Sequence, residues 1–152
     1  MIITMKMRTY GNMERMKIKI DEGGYMPTRA HATDAGLDLY TPELIVVPAN
    51  GSWMVNTRVH IAIPSGYFGK IESKSGLMCN HGIIVPGGVI DSGYTGSIRV
   101  KLENHSNASY KFERGSKIAQ IIFIPCLLCD MQQVSDLETT DRGNNGFGST
   151  GV

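Results

Sequence analysis

The stretch from Trp53 to Ile63 constrains the fold most: Trp53, Val55, Thr57, Val59, Ile61 and Ile63 alternate with Met54, Asn56, Arg58, His60 and Ala62. A period of two held over this length is the pattern of a half-buried strand, which a helix cannot present as one face. Pro64-Ser65-Gly66 then stops it. Other segments repeat the pattern at shorter length. Met16 to Ile20 alternates, Tyr67 to Glu72 and Tyr110 to Phe112 are rich in β-formers, and Ser97 to Glu103 places Ile98, Val100 and Leu102 on one face. Ile118 to Ile124 is an apolar run of strand length broken by Gln120, and Ala35 to Tyr40 is a shorter one broken by Asp38. Short strands about ten residues apart, separated by turn signals and with hardly one helix, predict an all-β domain, a distorted antiparallel jelly roll or β-sandwich.

Composition narrows the partners. The chain has 152 residues, 18 of them Gly, with 19% charged residues and a net charge of +1. One domain fits that length and can bury a core without metals or disulfides. A near-neutral chain lacks the basic footprint for duplex DNA or an anionic membrane, so phosphate would be bound locally, at a site. No apolar run approaches a membrane span and the N-terminus lacks a signal-type core, so the expectation is an intracellular protein, cytoplasmic or nuclear and not secreted. Cys126 and Cys129 form a CxxC pair, but Cys79 is the only further cysteine and no second ligand pair has zinc spacing. They read as buried, inert thiols. Residues 1–15 read as a loosely ordered extension, 16–136 as the β domain, and 137–152 as a flexible arm.

Several stretches carry chemistry-bearing residues. Gly87 to Gly96 sets Asp91 and Tyr94 between glycines, flanked by Ile83-Ile84-Val85 and Ile98 to Leu102, and reads as a β-hairpin. Either it is an ordinary surface turn, or its backbone approaches a planar ligand that Asp91 and Tyr94 also face. Asp38, an acid inside an apolar strand, is paired or functional, because an isolated buried carboxylate is costly. Ser73 to Met78 reads as a strand entering one helical turn, where Lys74 and Ser75 make an N-cap or a small anion site. The segment from Asp141 to Gly151 cannot build core; it is a disordered tail or a lid whose Phe stacks and whose Arg and hydroxyls take phosphate.

Taken together, Ala35 to Leu39, Ser73 to Leu77, Gly88 to Tyr94, Arg114 to Gln120 and Arg142 to Gly151 resemble, in order and spacing, the five motifs of the homotrimeric deoxyuridine triphosphatase (dUTPase) family. The resemblance covers residues 16–152 and implies hydrolysis of dUTP to dUMP and pyrophosphate, keeping uracil out of DNA and supplying dUMP for thymidylate synthesis. It implies that Asp91 activates water for attack on the α-phosphorus. Tyr94 would pack on the deoxyribose, and the backbone of Gly88, Val89 and Ile90 would pair with the uracil edge. Lys74, Ser75, Gly76 and Gln120 would contact the phosphates, and Asp38 would reach Mg²⁺ through water, the ion being held mainly by substrate. Phe147, between Gly146 and Gly148, would stack on uracil, while Arg142, Ser149 and Thr150 would hold the γ-phosphate. The implied assembly is a homotrimer with shared active sites, binding neither nucleic acid directly nor membrane.

The chemistry is consistent with that assignment. Water attack on a triphosphate needs charge neutralisation more than covalent help, and an Asp stays ionised at neutral pH to act on bound water. Two positions depart from many members: Lys74 stands where Arg is common, trading a forked donor for a point charge, and Gly93 stands where Asp is common. Both resemble retroviral members and point to a viral or otherwise divergent source. The rival readings are a dCTP deaminase-like enzyme of the same superfamily and a non-catalytic nucleotide- or protein-binding descendant.

Overall fold

The structure is a computed structural model that describes residues 16–145. Eleven strands and one helix follow in chain order: β1 (Lys17–Ile20), β2 (Leu37–Tyr40), β3 (Ile45–Val47), β4 (Ser52–Asn56), β5 (Val59–Ala62), β6 (Tyr67–Glu72), α1 (Ser75–His81), β7 (Ile83–Ile84), β8 (Val89–Ile90), β9 (Arg99–Asn104), β10 (Tyr110–Phe112) and β11 (Lys117–Pro125). Every strand pairing is antiparallel. The largest sheet runs β2-β11-β6-β8, the second β4-β9-β7, and two-stranded ladders β1-β5 and β3-β10 complete the set. Leu39, Ile71, Ile118 and Ile121 from the large sheet meet Val55, Ile83, Val100 and Leu102 from the second in one core, each almost fully buried. This is the expected all-β, jelly-roll-like architecture with one short helix.

The long alternating stretch is where expectation and structure part. Its inward face holds from Val55 to Ile63, although Trp53 is exposed. Yet it forms two strands rather than one: β4 pairs with β9 and β5 pairs with β1. Between them Arg58 adopts a positive φ of 63°. Its N–H is taken by the Asn56 side chain at 3.0 Å, and the buried Thr57 hydroxyl donates to the carbonyl of Ile98 at 2.8 Å. The polar groups at the break are thus satisfied locally, and the chain changes sheets without losing its face.

The hairpin expected around Gly87 to Gly96 is also only half realised. Its outer arms do meet, since Ile83 pairs with Asn104 and Ile84 with Glu103. The intervening segment leaves that ladder, and β8 instead joins the large sheet opposite Gly69 and Lys70 of β6. The stretch therefore bridges two sheets. The thiols differ from expectation too: Cys79 and Cys129 are exposed and Cys126 is half-buried, all three free. Regular structure ends at Pro125, and residues 126–145 run on without strand or helix, leaving Leu127, Met131 and Leu137 almost wholly exposed. Among the described residues no helix is long and apolar enough to cross a membrane.

Candidate active site

Cross-strand register gathers the first cluster. Gln120 of β11 lies opposite Asp38 of β2 on one side and opposite Glu72 of β6 on the other, so these three residues share a row and a sheet face. The neighbours in sequence, Leu39, Ile71 and Ile121, point the other way into the core. On the polar face lies a cleft of about 400 Å³ lined by Asp34, Gly36, Asp38, Lys74, Lys117 and Gln120, among others. Three of the five stretches singled out in the sequence converge on it.

Asp38 organises the cleft. It is 6% exposed, and its carboxylate receives Lys74 on one oxygen and Lys117 on the other, the latter at 2.7 Å. Burial pushes its pKa up, but the hydrogen bonds from Lys117 and Lys74 outweigh that and hold the carboxyl below its usual range. The same contact raises Lys117. Lys74 is extended and stands just before α1, so its side chain is free to reach back across the sheet. Ser75 and Gly76 open the helix and are exposed. The hydroxyl of Ser73 receives the N–H of Val85 at 2.8 Å, and its carbonyl receives the Gln120 amide at 3.0 Å, which docks the second and fourth stretches together. Gly36 is required here by space: a Cβ on it would lie 2.2 Å from the Gln120 Oε1.

Asp91 and Tyr94 lie elsewhere. The strand order puts β6 between β8 and β11, and Ile90 lies opposite Gly69 whereas Gln120 lies opposite Glu72, so Asp91 sits two strand spacings across, roughly 10 Å, and several residues further along the sheet from Gln120. Lys70 and Glu72 of β6, paired to each other, occupy the intervening face. Gly88 has a φ of 149° and its carbonyl accepts from Ile71 N–H at 2.9 Å; an added Cβ would press on the Ile71 side chain at 3.1 Å. This pins the backbone of the segment against the sheet edge while Val89 stays exposed and Ile90 packs on the core. Asp91 is exposed at the start of a turn closed by Tyr94 N–H donating to the Asp91 carbonyl at 3.0 Å. The Tyr94 phenol folds back to donate to the Ser97 carbonyl at 2.9 Å. Arg142 is exposed and its Nε donates to the Asn145 carbonyl at 2.9 Å. Gly146, Phe147, Gly148, Ser149 and Thr150 lie outside the described residues.

The model of the dUTPase family matches residues 22–151, nearly the whole chain. The chain belongs to the dUTPase family. Curated relatives named deoxyuridine 5'-triphosphate nucleotidohydrolase include that of Candida albicans, 40% identical over 130 residues that span 84% of this chain and 82% of the relative. That of Clostridium acetobutylicum is 38% identical over 143 residues, 92% of this chain and 99% of the relative. Among solved structures, the dUTPase of Staphylococcus bacteriophage 80alpha with dUpNHpp superposes at a TM-score of 0.86 with 28% identity, covering 92% of this chain and all of that one. A variant dUTPase from phage phi11 of S. aureus, described with a structural Mg(II) ion, superposes at 0.78 with 25% identity, covering 83% of this chain and 100% of that one. The dUTPase motifs thus separate within one chain: the first, second and fourth share the cleft, and the third stands at the far edge of the same sheet.

Two residues make contacts that the sequence does not announce. Lys117, within the fourth motif, supplies one of the two cations on Asp38. His60, an outward-facing residue by alternation, has both its ring nitrogens engaged. Neither could be found from spacing alone, because each contact depends on which strands become neighbours.

Proposed function

We propose that, in the hydrolysis of dUTP that this chain carries out as a dUTPase, Asp91 is the carboxylate that orients and deprotonates the attacking water at the α-phosphorus. The products are dUMP and pyrophosphate. The observation that carries this reading is the division of the site: an amide-bearing cleft lined by Lys74, Lys117 and Gln120, whose lysines are shared with Asp38, and an exposed acid beside a glycine-pinned backbone one strand beyond β6. The cleft suits phosphate oxygens, and the β8 edge suits a planar base read through main-chain groups. Tyr94 lies against the deoxyribose, where its ring leaves no room for a 2′-hydroxyl. The same division supports the reading of a homotrimer with shared sites, in which another copy sets its third motif against the cleft of the first. Arg142 and Phe147 of the arm then close over γ-phosphate and base, aided by Ser149 and Thr150.

Mg²⁺ fits this arrangement through its donor chemistry. Asp38 is held ionised, the form a hard cation requires, but both its oxygens already accept from lysines, so it suits contact through a water rather than direct ligation. Among the described residues no three acids, histidines or cysteines cluster into a cage. An ion held mainly by substrate oxygens needs none, and when bound it neutralises charge on the phosphates. Lys74 and Lys117 keep Asp38 in place, and Gln120 meets the phosphate chain from the neighbouring strand.

The deciding assay supplies dUTP or dCTP with Mg²⁺ and follows pyrophosphate and ammonia. Pyrophosphate from dUTP is expected; ammonia from dCTP would assign the chain to deamination instead. Asp91→Asn should retain dUTP binding and lose turnover by about a thousandfold or more, the usual scale for loss of a general base combined with misplaced water. Turnover within a few fold of the parent would remove Asp91 from that role.

A further inference from the structure

His60 lies in β5 opposite Lys19 of β1, with its side chain 19% exposed. Its Nε2 is 2.8 Å from the Asp21 carboxylate and its Nδ1 is 2.9 Å from the carbonyl oxygen of Thr95. Both partners are acceptors. A neutral imidazole has one N–H and can serve only one of them; the imidazolium donates to both. Thr95 follows Tyr94 directly, and the segment onward is tied to the β4–β5 junction at further points: Ser97 bonds Asn56, Ile98 N–H donates to the Val59 carbonyl at 2.8 Å, and the Ile98 carbonyl accepts from Thr57. Of these ties, only that from His60 changes with its protonation.

We propose that His60 is a positioning residue, a pH-dependent strut that links Asp21 to the Thr95 carbonyl and thereby holds the Tyr94 turn in its substrate-receiving position. The inference rests on the reading of Tyr94 as the deoxyribose contact. The charged groups facing the ring come from β1 and the loop after it. Asp21 favours the cation, while Lys19, itself 2.8 Å from Asp21, opposes it, and Lys17 lines the same shallow depression. Arg58 on the strand side turns away to the Glu22 carbonyl. Asp21, then the Thr95 carbonyl, raise the His60 pKa above its ordinary value. The strut is therefore complete below the unfolded value near 6.5 and is lost as pH rises through the raised folded value.

The test measures KM and kcat for dUTP from about pH 5.5 to 9 at saturating Mg²⁺ for the parent, His60→Gln and Asp21→Asn, with NMR of the His60 ring and of Tyr94 amide protection. In the parent, KM should rise on the order of threefold to tenfold across the His60 titration, with kcat moving less. His60→Gln should show the high KM at every pH and a less protected Tyr94 amide. Asp21→Asn keeps the ring but should move the KM step to lower pH. Parallel KM profiles in parent and His60→Gln overturn the proposal, as does unchanged Tyr94 protection. The substrate reading is checked separately by Tyr94→Ala: if its KM equals the parent's while His60→Gln still loses Tyr94 protection, the turn is braced by His60 but does not meet dUTP.

Discussion

Gly36 and Gln120 show how little room the cleft leaves at the level of single residues. Gly36→Ala would drive a methyl into the Gln120 amide and break its bond to the Ser73 carbonyl. The end of a Gln side chain can swing away, so the expected loss of stability is only about 1 kcal/mol, while KM for dUTP rises on the order of tenfold. Steady-state kinetics beside urea denaturation separates the two effects; a large stability loss with unchanged KM would make Gly36 purely structural. Asp38 is a different case, because its removal strands two ammonium groups. Asp38→Asn should cost about 2 kcal/mol at pH 7, below the usual figure for a fully buried pair because both lysines reach solvent. The Asp38 pKa is depressed in the fold, so its contribution is present above the unfolded carboxylate value and disappears as pH falls through the folded one. Denaturation midpoints of parent and Asp38→Asn should therefore converge as the pH falls through the depressed Asp38 titration. A gap that stays constant with pH would mean the pair contributes through packing rather than charge.

Among the elements, the β4–β5 junction has the widest consequences. Thr57 is fully buried, donates to the Ile98 carbonyl and accepts from the Val59 N–H at 3.3 Å, so one hydroxyl joins the strand break to the end of the Tyr94 segment. Thr57→Val preserves shape and leaves those backbone groups with a poorer partner. The expected cost is about 1–2 kcal/mol in urea denaturation with an unchanged m-value, together with a raised KM through loosening of residues 94–98. Alternation predicted the buried face of this stretch correctly from Val55 onward. It could not reveal the break, because a chain that switches sheets while keeping its face inward leaves the period of two intact; the sign was polar Asn56 and Thr57 beside an Arg at positive φ, and a backbone angle is not written in side-chain pattern. The seven-residue α1 was legible as a turn of helix after Ser73, and its Gly82 closes it by bonding the Leu77 and Met78 carbonyls.

At the scale of the whole molecule, the core and the arm are separable. The core clusters residues between Leu39 and Ile121, whereas residues 126–145 are almost all exposed and add nothing to it. Truncation after Asp141 should leave cooperative unfolding within about 1 kcal/mol of the parent and, on the proposed closing role of the segment, reduce turnover by about a hundredfold or more. Failure of the truncated chain to fold would make the arm structural. The division of motifs across the sheet carries a second expectation: under the proposed shared site, turnover per chain should fall on dilution in step with loss of a trimer in sedimentation, because one chain holds the third motif apart from the cleft. Full activity from a monomer would require the third motif to reach the cleft within a single chain.

The sequence alone determined the fold class, because strand period and turn chemistry are local properties, and it determined the family, because five separated motifs in order leave few other readings. It also singled out Asp38, Lys74 and Gln120, which the fold gathers into one cleft. Only the tertiary structure decided that Lys74 and Lys117 share Asp38, that β6 parts Gln120 from Asp91, and that His60 reaches the Tyr94 turn. Each of those depends on cross-strand neighbours and register, which are fixed by how the two sheets share one core rather than by any stretch of residues read in isolation.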